Sequence, residues 1–377
     1  AENNINRNEA TRAISNNQLS INIIEGLKFK TTFGIDYINA NVHSYENPLH
    51  GGGLGENGTS YMTNSRYFNW TTQNNLEWDK TFGDNEHFLS VLVSQRFQKN
   101  KSLSNYSYGE NVPAMGLIYP SSFQTNQASA GSFSDWKALS YLVLANYSYK
   151  NKYIFDISYR NDGSSRFASD YRFGNFYSAG FAWNITEENF LKDNDIINNL
   201  KLRISYGESG NNAVGLNQYQ SLFSYGGSYN DNGTVTPSSF SNPIISWETA
   251  KLTDVGIDFS ILGGRVSGLV NYYIKDTADL LQSVPLSLTT GHSSYTQNVG
   301  TVRNQGVEIE LDAEVIKAGD FTWNIYSNYA TNDNEILSLA QDAAGNDINL
   351  GGSYNASRVG RAIGEWFIRT WGGVDSN

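Results

Sequence analysis

Apolar and polar residues alternate one for one along most of the chain. Tyr153, Phe155, Ile157 and Tyr159 share one face of a predicted strand, and Ile154, Asp156, Ser158 and Arg160 share the other. Leu200, Leu202, Ile204 and Tyr206 alternate with Lys201, Arg203 and Ser205, and Val255, Ile257, Phe259 and Ile261 with Asp254, Gly256, Asp258 and Ser260. The sharpest case sets Val307, Ile309, Leu311, Ala313 and Val315 against Glu308, Glu310, Asp312 and Glu314. A period of two is the signature of a strand with one apolar face and one wet face. The pattern predicts strands near 19–25, 27–37, 65–79, 87–98, 138–149, 153–161, 172–185, 199–206, 249–261, 265–275, 304–315 and 320–331. Many reach about 9–11 residues, enough to cross a bilayer when tilted, whereas strands of soluble proteins average about 5–6.

The connections alternate short and long. Tight turns fall at Glu25-Gly26, 80–86, 150–152, 262–264 and 316–320, and long loops at 38–64, 99–137, 207–248, 276–303 and beyond 332. The connection at 162–171 is intermediate, and 186–198 reads as a helical turn at a short-connection end. Tight turns at one end and long loops at the other are how an antiparallel membrane barrel is built. A compact soluble domain rarely carries so many long loops. No linker or low-complexity tract divides the chain, so residues 1–377 are read as one partial barrel domain.

Composition sharpens this. Aromatics are 14% of residues, with 35 Gly, 6 Pro and no Cys, which suits half-wet strands and rules out thiolate sites. Mean hydropathy is −0.46 and no apolar run is long enough for a membrane helix. The start of the chain lacks the basic and apolar regions of a signal peptide. A net charge of −11 argues against a nucleic-acid partner.

Candidate chemistry is sparse. Gly53-Leu54-Gly55-Glu56-Asn57-Gly58 fits a dinucleotide-loop spacing but lacks the buried strand and following helix that motif needs. His43, His50, His87 and His292 form no metal-ligand spacing, and Asp231-Asn232-Gly233 reads as a tight turn. No catalytic residue, metal site or cofactor is expected. Tyr67, Trp70, Trp78, Tyr149, Tyr153 and Trp183 are candidates for interfacial girdles, or for ordinary cross-strand packing. The 99–137 loop offers Tyr106, Tyr108 and Trp136, and the 207–248 loop Tyr225 and Trp247, as ligand or partner contacts. Packing of the loops on themselves is the alternative. Glu308, Glu310, Asp312 and Glu314 are expected to line the lumen, with Val307, Ile309 and Leu311 outward on a hairpin with 320–331. These acids are read first as a solvated wall, and second as a device that steers substrate.

Several blocks carry a family resemblance. They are YIFDISYRNDGSSRFASDYRFGNFYSAGFAWNITEENFL (153–191), INNLKLRISYGESGNNAVG (197–215), NPIISWETAKLTDVGIDFSILGGRVSGLVNYYIKDTADLLQSVPL (242–286), QNVGTVRNQGVEIEL (297–311) and VGRAIGEW (359–366). In this order they resemble the SusC/RagA group of TonB-dependent outer-membrane transporters of Bacteroidota. Arg160, Asp162, Gly163, Ser164, Ser165, Arg166 and Phe167 match the family's signature turn, with Ala168 where Gly is usual. The resemblance implies an all-β fold, a transmembrane antiparallel barrel of about 22 strands closed by a plug. It implies the bacterial outer membrane as location and its lipid as surroundings, a SusD-like surface lipoprotein as partner, and glycan or peptide as ligand. It also implies that this chain is a fragment lacking the plug, the segment that contacts the TonB complex and the last strands. A passive porin, an adhesive barrel and a soluble β-rich carbohydrate-binding protein remain alternatives.

Overall fold

A computed structural model describes residues 4–373 apart from 192–193, 343, 350–351 and 353. Among them there is no α-helix. The principal strands are β1 (Ile5–Ile24), β2 (Leu27–Glu46), β3 (Thr59–Phe82), β4 (His87–Glu110), β5 (Thr125–Tyr149), β6 (Tyr153–Ser164), β7 (Phe173–Asn184), β8 (Ile197–Asn211), β9 (Phe223–Tyr229), β10 (Asn232–Pro237), β11 (Glu248–Ile261), β12 (Val266–Ala278), β13 (Leu281–Pro285), β14 (Ser294–Asn298), β15 (Thr301–Ala318), β16 (Phe321–Ala330) and β17 (Asp333–Ser338).

The residues group into two compact units, Ala1–Leu76 with Ser94–Ser140, and Glu77–Val93 with Tyr141–Asn377. The division runs through β3, β4 and β5 rather than through a linker. In the first unit, segments of β1 to β5 follow one another in chain order. In the second, segments of β3 to β5 precede β6, β7, β8, β11, β12, β15 and β16, with β17 also on β15. β9–β10 and β13–β14 are separate two-stranded hairpins within connections.

The register sorts side chains by polarity. In the second unit one row of direct partners runs Phe155, Phe181, Ile204, Val255, Tyr272, Val307. The next runs Tyr153, Trp183, Leu202, Ile257, Val270, Ile309, Tyr329. On the opposite face Arg203 follows Ala182, and Gly256, Asn271 and Glu308 follow Arg203. A one-residue slip would exchange the two sets, so one buried face fixes the register. The apolar rows are not covered by protein: Ile157 is 61% exposed and Ile309 37%. Apolar surface gains roughly 25 cal/mol per Å² on leaving water, so rows this extensive call for another cover.

The polar face supplies its own pairing. Arg203 donates Nε and Nη2 to the two carboxylate oxygens of Asp258 at 2.9 and 2.8 Å, with Asp254 at 3.9 Å. Ser158 and Ser178 are bonded across β6–β7 at 2.5 Å.

Length is where expectation and structure differ most. β1 starts at Ile5 rather than 19, β4 runs to Glu110 rather than 98, and β5 begins at Thr125 rather than 138. Strands of 24 or 25 residues, such as β4 and β5, are more than twice what a membrane needs. Their upper halves stand in water on both faces, where alternation of polarity has no driving force. The hairpin loops are correspondingly shorter than read from the sequence.

The expected helical turn at 186–198 is a 3-10 turn at Ile185–Glu187, with 192–193 outside the described residues. Glu188 organises it, accepting from the Tyr153 hydroxyl at 2.6 Å, Lys152 Nζ at 3.1 Å and Trp183 Nε1 at 3.2 Å. The Tyr153 and Lys152 contacts hold its carboxyl below the usual range. Above this turn, rings pass contact from Phe82 to His87 (4.9 Å), Tyr149 (4.8 Å), Tyr153 (6.4 Å) and Trp183 (6.5 Å). Tyr149, Tyr153 and Trp183, candidates for a girdle or for cross-strand packing, are thus in cross-strand contact. Tyr67 does not join Trp70, because three residues apart on β3 they take opposite faces.

Asp231-Asn232-Gly233 does close a tight hairpin: Tyr229 pairs with Asn232 across Asn230 and Asp231, both at positive φ. Val315 leaves the apolar face. It sits at a bulge between Glu314 and Ile316, and Ile316 pairs with Trp323 in its place.

Candidate functional site

The signature turn is a structural clamp. Arg160 Nε donates to Asp162 at 2.6 and 2.8 Å, closing the end of β6. Gly163 faces the Phe173 ring, where an added Cβ would approach to 2.5 Å. Ser164 is fully buried, and its Oγ accepts from Asn212 Nδ2 at 3.1 Å and from the Arg166 amide at 3.3 Å. The Arg166 guanidinium donates to the Val214 carbonyl. Phe167 is fully buried with Val214 and Ile245, its ring 5.4 Å from Trp247. Trp247 Nε1 donates to the Arg172 carbonyl at 3.1 Å. The clamp therefore ties the β6–β7 connection to both ends of the 212–247 connection. Ala168 fits its place at φ −60°, so nothing there requires the glycine usual in the family.

Trp247 is accordingly an anchor of loop packing, not a free recognition surface. Tyr225 is 80% exposed on β9. The other candidates also change setting: Tyr106 and Tyr108 lie on β4 and Trp136 on β5, not in a loop.

In the first unit Phe33, Trp70 and Phe97 make ring contacts at 6.2 and 5.0 Å and mark the apolar face. Tyr106 and Tyr108 alternate onto the other face, with Ser104, which bonds Ser65 across β3–β4 at 3.0 Å. There the Tyr106 ring packs 5.8 Å from Tyr61. The Tyr108 hydroxyl donates to Glu110 at 2.5 Å, and Asn126 also donates to this carboxylate. These bonds hold Glu110 below the usual carboxylate range. The bond to Glu110, burial, and the nearby charges of Glu110, Glu56 and Glu46 push Tyr108 up to about 12. The polar face thus carries an aromatic wall edged by three acids. Tyr61, Glu46 and Glu110 were not singled out from sequence; the one signal for Glu110 was its shared strand parity with Tyr106 and Tyr108.

A cleft opens elsewhere on this unit. A space of about 820 Å³ opens between Arg7, Glu9, Asn41, His43, Asn64 and Tyr119. Arg7, Glu9, Asn41 and His43 share the face of Phe33 through the β1–β2 register, so the cleft lies on the apolar side of the wall. Tyr119 roofs it, stacked on His43 at 5.8 Å.

On β15, Glu308, Glu310 and Asp312 share the polar face with Arg203 and Asp258. None has an ion-pair partner among the described residues. Glu314 differs. It lies beside the 316–320 turn between Arg265 and Lys317, each 3.5 Å away, and so closes a turn.

Comparison with known proteins places this wall. Residues 2–376 match the family described as TonB dependent receptor-like, beta-barrel. TonB-dependent receptor P39 of Formosa agariphila is 33% identical over 91% of the chain and 33% of its own length. TonB-dependent receptor SusC of Bacteroides thetaiotaomicron is 35% identical over 61% of the chain and 25% of its own length. The RagAB peptide transporter structure superposes with a TM-score of 0.88 at 25% identity, covering 98% of this chain and 41% of that one. The chain therefore spans about a third of the length of these curated relatives. The chain belongs to the TonB-dependent receptor β-barrel family of the outer membrane, within its SusC/RagA group.

Proposed function

We propose that this chain is part of an importer that carries an oligosaccharide or peptide across the outer membrane with TonB-supplied energy and a SusD-like surface lipoprotein. The observation that carries this reading is the likeness to the RagAB peptide transporter over nearly the whole chain. The polar face of the strands is then the lumen wall, and Glu308, Glu310 and Asp312 line it. Tyr61, Tyr106 and Tyr108 form an aromatic surface on that wall above the membrane. Aromatic faces stack on sugar rings and pack against peptide side chains, and the neighbouring Glu46, Glu56 and Glu110 favour ligands with a cationic or hydrogen-donating group.

The test is ligand uptake by cells carrying the full-length protein, with a glycan and peptide panel. Uptake of one ligand class is expected to collapse when TonB is deleted or the proton gradient dissipated, and Tyr106→Ala is expected to weaken binding by about tenfold, the scale of one lost aromatic anchor. Uptake that survives loss of TonB would identify a passive porin instead.

A further inference from the structure

The outward face of the first unit changes character just above its aromatic row. Beyond Phe33, Trp70 and Phe97, the outward positions of β3 and β4 include three cations, Arg66 on β3 and Lys99 and Lys101 on β4, beside the apolar Phe68 and Leu103. Their parity is that of the row, since Arg66 is four residues from Trp70, and Lys99 and Lys101 are two and four from Phe97. The hydrogen bonds Ser65–Ser104 (3.0 Å) and Ser94–Asn75 (2.7 Å) fix one β3–β4 register, which sets Lys99 across from Trp70 and Lys101 across from Phe68. Arg66 and Lys101 are exposed and Lys99 is half-buried.

Acids do not balance this group. On the same face and level of β3 and β4 there is no carboxylate, so the three cations leave a formal +3 in a chain of net −11. On β1 and β2, Arg7 pairs with Glu9, and His43 bonds the Ile118 carbonyl at 3.1 Å. The second unit shows the contrast. Its outward row above the apolar face reads Glu208, Lys251, Asp276, Arg303 across four strands, alternating in sign and summing to zero. Arg303 and Asp276 there are joined by two bonds of 2.7 Å.

Two to four residues along a strand are roughly 7–13 Å, which puts the cations in the headgroup layer if the aromatic row sits at the edge of the hydrocarbon. We propose that Arg66, Lys99 and Lys101 form an outward-facing site for the phosphorylated headgroup of an outer-leaflet lipid. Guanidinium and ammonium donors match phosphate oxygens, and the aromatic row beneath offers the acyl chains a surface. The site would fix the protein's depth and its bound lipid on one side of the wall.

The test uses the full-length protein purified in detergent, with bisphosphorylated lipid A as probe and dephosphorylated lipid A as control. Native mass spectrometry and a fluorescence titration read binding. The wild type is expected to retain the phosphorylated form preferentially. Each cation removed should weaken binding about fivefold, and R66Q/K99Q/K101Q on the order of a hundredfold. Millimolar inorganic phosphate should not displace the lipid. Equal binding by wild type and triple variant, equal retention of both lipid forms, or displacement by inorganic phosphate would each overturn the proposal. Should the triple variant lose its heat-modifiable folded band, a salt titration of the wild type replaces it: binding that ignores ionic strength overturns the site, and binding that falls steeply supports it.

Discussion

Phe167→Ala is expected to release three loop segments at once while leaving the wall intact. The ring is fully buried among Val214, Ile245 and Trp247. Truncating a buried Phe costs about 3–5 kcal/mol, from lost transfer energy plus the cavity left behind. That cost falls on segments held by few other bonds. The β6–β7 connection has Ser164 to Asn212, Arg166 to Val214 and Trp247 to Arg172, and each depends on the packing Phe167 provides. The strands beneath keep their ladder hydrogen bonds, which do not involve the ring. Hydrogen exchange on the full-length protein should therefore show protection lost over 165–172, 212–222 and 238–247, with β6 to β8 and β11 unchanged. Phe167→Leu should lose much less. Unchanged exchange in these loops would show that the signature turn does not clamp them.

Gly306→Ala is the second large effect, and it strikes the wall itself. β16 and β17 hold one register on β15, with Glu308 opposite Ala330 and Gln305 opposite Asp333. They are one strand interrupted at Thr331-Asn332, and the interruption crosses Gly306. A Cβ there would lie 1.9 Å from the Thr331 carbonyl oxygen and 3.0 Å from the Tyr273 hydroxyl. Backbone cannot rotate aside as a side chain can. Moving Thr331 would break its amide bond to the Val307 carbonyl (2.9 Å) and the Val307 amide bond to Thr331 Oγ1 (3.0 Å). Forced overpacking of this kind costs about 1–3 kcal/mol. The folded, heat-modifiable band should melt several degrees lower than wild type, on the order of that cost. Gly131→Ala is the control, since its nearest atom, the Ser104 carbonyl oxygen, is 3.8 Å away. Equal melting of the two variants would contradict the close approach.

The parts of this fold that were legible in sequence are those where lipid enforces a pattern. Phe155, Ile204, Val255 and Val307 alternate because one face must be apolar, and their strands and register follow from that. The upper half of β1, with Arg7, Asn8, Glu9, Ala10 and Thr11, alternates in nothing, because water bathes both its faces. Its strand is held by backbone bonds to β2 that leave no mark in side-chain polarity. For the same reason Tyr106, Tyr108 and Trp136 read as loop residues. The signature turn was visible as a motif but not as a clamp, since Phe167 meets Val214, Ile245 and Trp247 only in three dimensions. Glu314 looked like its neighbours on β15 because Arg265, its partner, is distant in sequence.

The central claim is that one face of this wall meets lipid and the other an aqueous lumen. The chain contains no cysteine, so single substitutions report cleanly in a full-length protein otherwise free of cysteine. Val307→Cys, Glu308→Cys, Ile309→Cys and Glu310→Cys alternate along β15 within the membrane. In outer-membrane vesicles, Glu308→Cys and Glu310→Cys should react with a water-soluble maleimide, and Val307→Cys and Ile309→Cys only with a lipid-soluble one. The reverse pattern, or equal labelling at all four positions, would contradict the account.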